Sequence, residues 1–304
     1  MTRRWLDSPP ALMVLASLLF ALMGVCVKFA SAHYAAGEIV LYRGAVGALA
    51  IAAMVRSRGG TLRTSLPAMH FWRSLTGVCA LSLWFFSIGR LPLATAVTLN
   101  YMSSVWMALF LIGGAIALGG ARIDARLVCT VLVGFAGVAM VLQPAIEREQ
   151  FWGAFAGLMS GVLAAMAYLQ VTALGRAGEP VYRIVFYFSL GGIVAGALTA
   201  PFTGGLHGHS LVGAALLLAV GLLATLAQAS ITRAYSTGVT LVNASLQYTG
   251  IAWSFVFGVL WFDDPVTVLA LGGMVLIAGA GIAATRLRRG GTPTNEANSN
   301  VAES

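Results

Sequence analysis

Charge is what this sequence has least of: of 304 residues only 9% are Asp, Glu, Lys or Arg, against 59% hydrophobic. A soluble domain carries roughly 25% charged residues, because charge is what covers its surface. Too little polar cover exists here for any globule of this size, so the cover must be lipid, and a soluble protein with an enlarged core is excluded. Lysine is nearly missing, with Lys28 the sole example, and it follows Val27. With no Gly-Lys pair anywhere, a phosphate loop and hence an ATP-driven pump are excluded. A retinal receptor needs its Schiff-base lysine deep in a late helix, whereas Lys28 falls in the first apolar run. The three cysteines, Cys26, Cys79 and Cys129, sit inside apolar runs with no CxxC and no histidine partner, which removes zinc and redox chemistry. Histidine is limited to His33, His70, His207 and His209, none mid-helix, and no HExxH or GxSxG occurs. An intramembrane enzyme therefore lacks its nucleophile–base pair or metal ligands. Neither a cofactor nor a metal is expected.

The net charge of +8 is not a nucleic-acid signal, because arginines lie in short gaps between apolar runs rather than on one basic face. Those runs predict helices near 10–31, 38–55, 68–89, 93–118, 125–143, 152–175, 182–200, 211–234, 238–262 and 266–286. Each is apolar for about the ~20 residues that span a ~30 Å hydrocarbon core. No cleavable leader is expected, since the first run is long enough to span. Turn chemistry or charge marks the breaks, as at Arg56-Ser-Arg-Gly-Gly60, Gly178-Glu-Pro180 and Asp263-Asp-Pro265. Residues 288–304 are polar and free of aromatics and read as a disordered cytoplasmic tail.

Orientation follows from the positive-inside bias. With the N-terminus inside, the inner face collects Arg3, Arg4, Arg56, Arg58, Arg63, Arg73, Arg122, Arg126, Arg176, Arg183, Arg233, Arg286, Arg288 and Arg289. The outer face gets only Arg90 and Arg148. Both termini are then cytoplasmic and the number of spans is even. The chain also repeats itself. Gly37-Glu-Ile-Val-Leu-Tyr-Arg43 opens the second predicted helix and Gly178-Glu-Pro-Val-Tyr-Arg183 the seventh. Asn100-Tyr101 followed by Trp106 echoes Gln247-Tyr248 followed by Trp253 at the same spacing. The expected fold is thus an all-α integral membrane protein of ten transmembrane helices in a 5+5 inverted-topology repeat. Residues 1–145 form the first repeat and 146–287 the second. Secondary transporters with this arrangement bind substrate near the bilayer midplane between the repeats.

Ile88-Gly-Arg-Leu-Pro-Leu-Ala-Thr-Ala96, Tyr101-Met-Ser-Ser104 and the run to Gly119, with Leu246-Gln-Tyr-Thr-Gly-Ile251 through Trp261-Phe-Asp-Asp-Pro-Val266, carry a resemblance. Over residues 8–287 the chain resembles the EamA type of the drug/metabolite transporter superfamily. The resemblance implies a ten-helix 5+5 carrier. Within it, the chain is similar to the aromatic amino-acid exporters of the YddG type. It departs from the usual pattern where the expected prolines are Ser104 and Gly250, and where the usual glutamate falls at Ala121 while Asp264 keeps an acid.

Arg43 lies within its predicted helix, where an unpaired charge in hydrocarbon costs about several kcal/mol. It reads either as a carboxylate anchor for an anionic or zwitterionic substrate, or as a structural pair with Glu38 or an interfacial arginine. Lys28 reads as snorkelling to the surface. Glu38 is the lone carboxylate near the membrane interior, so a proton relay of buried acids has no members and facilitated or exchange transport fits better. Trp5, Trp72, Trp152 and Trp261 suit the headgroup belt. Trp84, Tyr101, Trp106, Tyr168, Tyr248 and Trp253 are placed deeper, with the amides Asn100, Gln170, Gln228, Asn243 and Gln247. An amide in hydrocarbon needs a partner. These groups either link helices or, with Arg43, line a wet substrate cavity whose ring faces and amides suit a flat solute. Gly153, Gly157 and Gly161 recur every four residues and read as a close helix approach.

The composite reading is a bacterial inner-membrane exporter of small amphipathic metabolites, with aromatic amino acids or related flat compounds foremost. Its partners are the lipid bilayer and a small-molecule substrate. Threonine-like or sulfur amino acids, riboflavin and cationic drugs are alternative substrates. A non-transporting structural or signalling membrane protein is the alternative of another class. The preference for Arg over Lys and the Ala/Gly bias suggest a GC-rich bacterial genome.

Overall fold

The structure, a computed structural model, describes residues 8–91, 93–117, 125–142, 151–262 and 267–290. Among these residues there is no strand. In chain order the helices are α1 (Pro9–Ala30), α2 (Ala36–Ser57), α3 (Pro67–Arg90), α4 (Leu93–Tyr101), α5 (Ser103–Ala117) and α6 (Ala125–Leu142). They continue as α7 (Phe151–Arg176), α8 (Val181–Thr199), α9 (Leu211–Thr237), α10 (Thr240–Gln247), α11 (Thr249–Phe262) and α12 (Val268–Gly290). The predicted apolar runs fall on helix wherever their residues are described, and two of them are interrupted. The span at 93–118 interrupts at Met102 between α4 and α5, and the span at 238–262 interrupts at Tyr248 between α10 and α11. Among the described residues seven helical segments are long and apolar enough to cross a bilayer, and Val128–Gly137 and Leu271–Ala280 are shorter apolar helices. The last helix runs to Gly290, three residues into the expected tail, and 291–304 lie outside the described residues. So do Trp5, Ala121, Arg122, Arg148 and the acids at 147, 149, 263 and 264.

Local chemistry sets the ends. Pro9 and Pro67 occupy the first turns of α1 and α3, where a missing N–H leaves nothing unbonded. Ser210 caps α9, its hydroxyl accepting from the Gly213 amide at 3.0 Å. Gly178 takes φ +80° to close α7, a conformation that a side chain would strain, and the next amide, Glu179, bonds back to Leu174 O at 3.0 Å. Lys28 does not reach for headgroups. Its ammonium donates to the carbonyls of Ile88 and Leu91 at 3.0 and 2.6 Å, so it neutralises the C-terminal end of α3.

The four most extensive helix pairings join α2 with α8, α1 with α9, α3 with α7, and α6 with α12. Every one joins a helix before residue 145 to a helix after it. The broken spans also cross, α10 packing on α5 and α11 on α4. Ser104 Oγ donates to Ala244 O at 2.8 Å, and a Cβ on Gly250 would come within 2.7 Å of the Tyr101 ring. The two positions where the family pattern expects proline thus meet the opposite broken span. Small residues permit this closeness: a Cβ on Gly44 would lie 2.7 Å from Ser189 O and Ile193 N of α8. The Gly153, Gly157 and Gly161 line packs against Leu91, Ser87 and Leu99 on the α3–α4 side. Trp72, Trp152 and Trp261 are exposed at the helix ends, and Leu49, Leu198, Leu226 and Val275 stand out along the helices, as a lipid-facing surface requires.

Two buried carboxylates hold opposite ends of the bundle. Glu38, in the first turn of α2, accepts from the His207 amide at 3.1 Å and lies 2.8 Å from His207 Nδ1. Glu179, just before α8, lies 2.9 Å from His70 Nε2 and takes Arg183 Nη1 on both oxygens at 3.2 Å. The expected Glu38–Arg43 pair is not formed, because His207 occupies Glu38. Glu179 is a second buried carboxylate, placed before the start of α8.

Burial raises the pKa of the Glu179 carboxyl, but hydrogen bonds from His70, Thr64 and Arg183 outweigh it and hold the group below its ordinary value. Its stabilisation is therefore complete above the ordinary carboxylate range and disappears as pH falls through the depressed value. Glu179→Gln is expected to lower the unfolding temperature of detergent-solubilised protein at pH 7 by ~2–4 °C. That deficit should shrink as the pH is taken below 4; a deficit constant with pH would show that the charge of Glu179 contributes nothing.

Candidate functional site

Helices from before and after residue 145 leave between them a small central cavity of about 50 Å³. On α3 its lining recurs on one face, with Arg73, Gly77, Ala80, Leu81 and Trp84 at helical spacing. On α7 it is Ala164, Ala167 and Tyr168. The break at Met102 ends α4 beside the cavity and presents Asn100 and Tyr101. Phe20 of α1, Arg43 of α2, Phe188 of α8 and Gln228 of α9 complete the wall.

Two guanidinium groups dominate its electrostatics. Arg43 and Arg73 are 4% and 2% exposed, and they flank one ring, with Cζ 5.0 and 4.3 Å from the centroid of Phe188. Arg43 Nη2 reaches Gln228 Oε1 at 3.5 Å, and Gln228 Nε2 donates to Thr232 at 3.3 Å. Among the described residues no carboxylate lines the cavity or pairs with either arginine. Arg43 Nε, Arg73 Nε, Arg73 Nη1 and Trp84 Nε1 are buried without a hydrogen-bond partner. Gly77 makes room for Arg73, because a Cβ there would collide with Nη1. Around these donors stand rings. Phe20 meets Trp84 edge-on at 6.4 Å, and Tyr168 stacks on Tyr235 at 4.9 Å.

Six of the twelve residues singled out from sequence come together here: Arg43, Trp84, Asn100, Tyr101, Tyr168 and Gln228. The other six lie elsewhere. Gln170 accepts from Thr76 at 2.8 Å and ties α7 to α3. Asn243 donates to Ala234 O at 2.6 Å, pinning α10 to the end of α9. Gln247 accepts from Tyr235 at 2.9 Å and donates to Ser103 at 3.4 Å, one layer behind the wall. Tyr248 is fully buried at the break between α10 and α11, under Gly134. Trp106 and Trp253 are half-buried against the core, outside the lining.

Sequence reasoning missed Arg73 and Phe188. Arg73 was counted as an inner-face topology charge, yet it sits within α3 as Arg43 sits within α2, and that depth was its available signal. Phe188 has no polar atom and gave none. Asn100 donates to Ser160 at 3.0 Å, so its amide both lines the cavity and links α4 to α7.

A second, wider hollow of about 660 Å³ opens between Ser31, Tyr34, Ile39, Phe85, Arg90 and Phe202, beyond the far end of α1. Trp84 lines the inner cavity and Phe85 the outer hollow, their rings 5.9 Å apart, so this pair forms the partition.

Over 285 residues, 94% of this chain and 98% of the relative, the sequence is 34% identical to the pseudopaline exporter CntI of Pseudomonas aeruginosa strain UCBPP-PA14, and equally to that of strain PAO1. An uncharacterized transporter of Helicobacter pylori strain 26695 is 23% identical over 90% of this chain and 92% of its own. One solved crystal structure matches with a TM-score of 0.77 at 20% identity, covering 92% of this chain and 98% of that one, a likeness of fold. No family model matches the chain.

Two like charges buried without counter-charges destabilise the empty protein. Arg73→Met removes one and keeps the volume, so the unliganded variant is expected to melt ~2–4 °C above the wild type by intrinsic fluorescence. Melting at a lower temperature would mean that the protein itself satisfies Arg73.

Proposed function

The chain belongs to the family of bacterial membrane transporters that contains the pseudopaline exporters, and on that footing we propose that it exports small amphipathic metabolites through the central cavity by alternating access. One observation carries the reading: a buried cavity with unpartnered polar groups is walled by helices from both halves. A structural or signalling protein has no need of such a space. The relatives are named transporters, not enzymes, and a multi-pass bacterial membrane protein has lipid and a small molecule as its partners.

The architecture proposed for this activity is the ten-span 5+5 inverted repeat, with units 1–145 and 146–287 and both termini in the cytoplasm. The cross-half pairings support it. Under a swap of the units, α1 with α9 exchanges with α7 with α3, while α2 with α8 and α6 with α12 map onto themselves. Breaks fall at matching places, beside Tyr101 and at Tyr248. This is the arrangement of the EamA-type drug/metabolite carriers. Neither buried carboxylate lines the cavity, which favours facilitated or exchange transport over a proton relay inside it.

Two substrate readings have support. Pseudopaline, or a molecule of like chemistry, follows from the exporters at 34% identity. Aromatic amino acids of the YddG type follow from the five rings of Phe20, Trp84, Tyr101, Tyr168 and Phe188 on the wall. Arg43, Asn100 and Gln228 would hold the polar end in either case. Purified protein in proteoliposomes, loaded with pseudopaline, phenylalanine, tryptophan, threonine, cysteine, riboflavin or a cationic drug, tests both. Saturable efflux of pseudopaline or the aromatic pair is expected, with Gln228→Ala reducing it ~10-fold or more through loss of a buried hydrogen-bonding group. Silence across the whole panel would revive the non-transporting reading.

A further inference from the structure

The geometry points to a substrate with two carboxylates, one for each buried arginine, on an apolar or aromatic frame that lies against Phe188. This rests on the exporter reading above and names the substrate class of the same cavity. Its warrant is an imbalance in hydrogen bonding. The cavity's unpartnered buried atoms are all donors: Arg43 Nε, Arg73 Nε and Nη1, and Trp84 Nε1. Guanidinium and indole N–H groups can only donate, so a donor or a cation cannot satisfy them. Cationic drugs are the wrong charge for this wall.

The number of carboxylates follows from the number of buried guanidinium groups. A single carboxylate is matched by one guanidinium fork. Here two forks lie over the one Phe188 ring, with Arg43 Cζ 5.0 Å and Arg73 Cζ 4.3 Å from its centroid. A monocarboxylate bound to one would leave the other charge buried and uncompensated, a state that costs several kcal/mol. The aromatic amino acids carry one carboxylate and an ammonium group, and no acid on the wall receives the ammonium. Of the two substrate readings above, the two-arginine cavity therefore favours the one that brings more than one carboxylate.

The test is a matched series on purified full-length protein in nanodiscs, read by tryptophan fluorescence and thermal shift. Phenylsuccinate offers a ring and two carboxylates, 3-phenylpropionate one carboxylate, 3-phenylpropionamide none, and inorganic phosphate charge without a ring. Phenylsuccinate is expected to bind ~10-fold or more tightly than 3-phenylpropionate, since one charge-assisted bidentate contact is worth at least that factor, with the amide weakest. Arg43→Gln and Arg73→Gln should each reduce phenylsuccinate to the level of the monoacid, and Arg73→Lys should restore part of the difference. Equal binding of diacid and amide, no binding by any of the series, or phosphate binding as tightly as phenylsuccinate would overturn the assignment. If a glutamine variant fails to fold, the order of ligands on the wild type decides alone. Preference for the diacid without flux in vesicles would keep this inference and sink the exporter reading. Flux of neutral aromatics with no preference for acids would do the reverse.

A second observation stands apart from the cavity. The Glu38–His207 and Glu179–His70 pairs occupy matching positions in the two halves. Each glutamate opens a second helix, and each histidine lies at the entry to a third. Each bond crosses between halves, at opposite ends of the bundle. We infer that they are the two gates of the carrier, each clasping one face. Glu38 is faced by His207, with Tyr34, Tyr42 and His209 in ring contact around it, and Glu179 by His70 and Arg183. Hydrogen exchange on full-length protein tests this. Glu38→Gln should speed exchange at 204–210 and slow it at 61–66, and Glu179→Gln should do the opposite. Local loosening without reciprocal protection at the other face would overturn the gate role.

Discussion

Hydrocarbon offers no hydrogen bonds, and that constraint decides nearly everything about this molecule. Backbone groups must be satisfied inside helices, and polar side chains must find partners within the bundle. Most do. Gln170 bonds Thr76, Asn100 bonds Ser160, Gln247 bridges Tyr235 and Ser103, and Lys28 closes the carbonyls at the end of α3. Against that pairing, Arg43 and Arg73 stand out among the buried groups left without a partner, because theirs are charged donors that line the cavity. Two buried charges without counter-charges cost stability there.

Close packing makes such a cavity possible without a soluble core. Lipid tails are as apolar as leucine, so helices gain little by hiding hydrophobic surface from each other and associate through tight contact and hydrogen bonds. Gly44 lets α2 meet the backbone of α8, and Gly161 lets α7 meet the carbonyl of Leu99. At Met102 the two segments of the interrupted span stay joined by backbone hydrogen bonds, Met102 donating to Thr98 O at 2.9 Å and accepting from the Trp106 amide at 3.0 Å.

Helix positions were legible in the sequence because hydrophobic runs bounded by Gly, Pro and Arg leave few alternatives. The breaks were not, since Tyr101-Met-Ser and Gln247-Tyr-Thr contain neither proline nor glycine at the interruption. Site residues were legible only by type. A buried amide reads the same whether it lines a cavity, like Gln228, or ties two helices, like Asn243, because both satisfy the same demand for a partner. Arg73 was misplaced for a related reason: counting arginines by face treats each as interfacial, and only its depth within α3 and its burial separate it from Arg63 or Arg176. Glu38 and Arg43 share a helix, which made them look like a pair; the histidine that claims Glu38 lies far along the chain.

Because α1, α2, α3 and α6 find their principal neighbours in α9, α8, α7 and α12, the first half leaves the ribosome before any of its main contacts exist. Its helices are made with Arg43 and Arg73 still lacking the ring of Phe188 that both lie over. Assembly is therefore a late event in synthesis, when the second half threads its spans between those already waiting, and a ribosome stalled near residue 145 would leave a set of inserted helices with no fold to adopt.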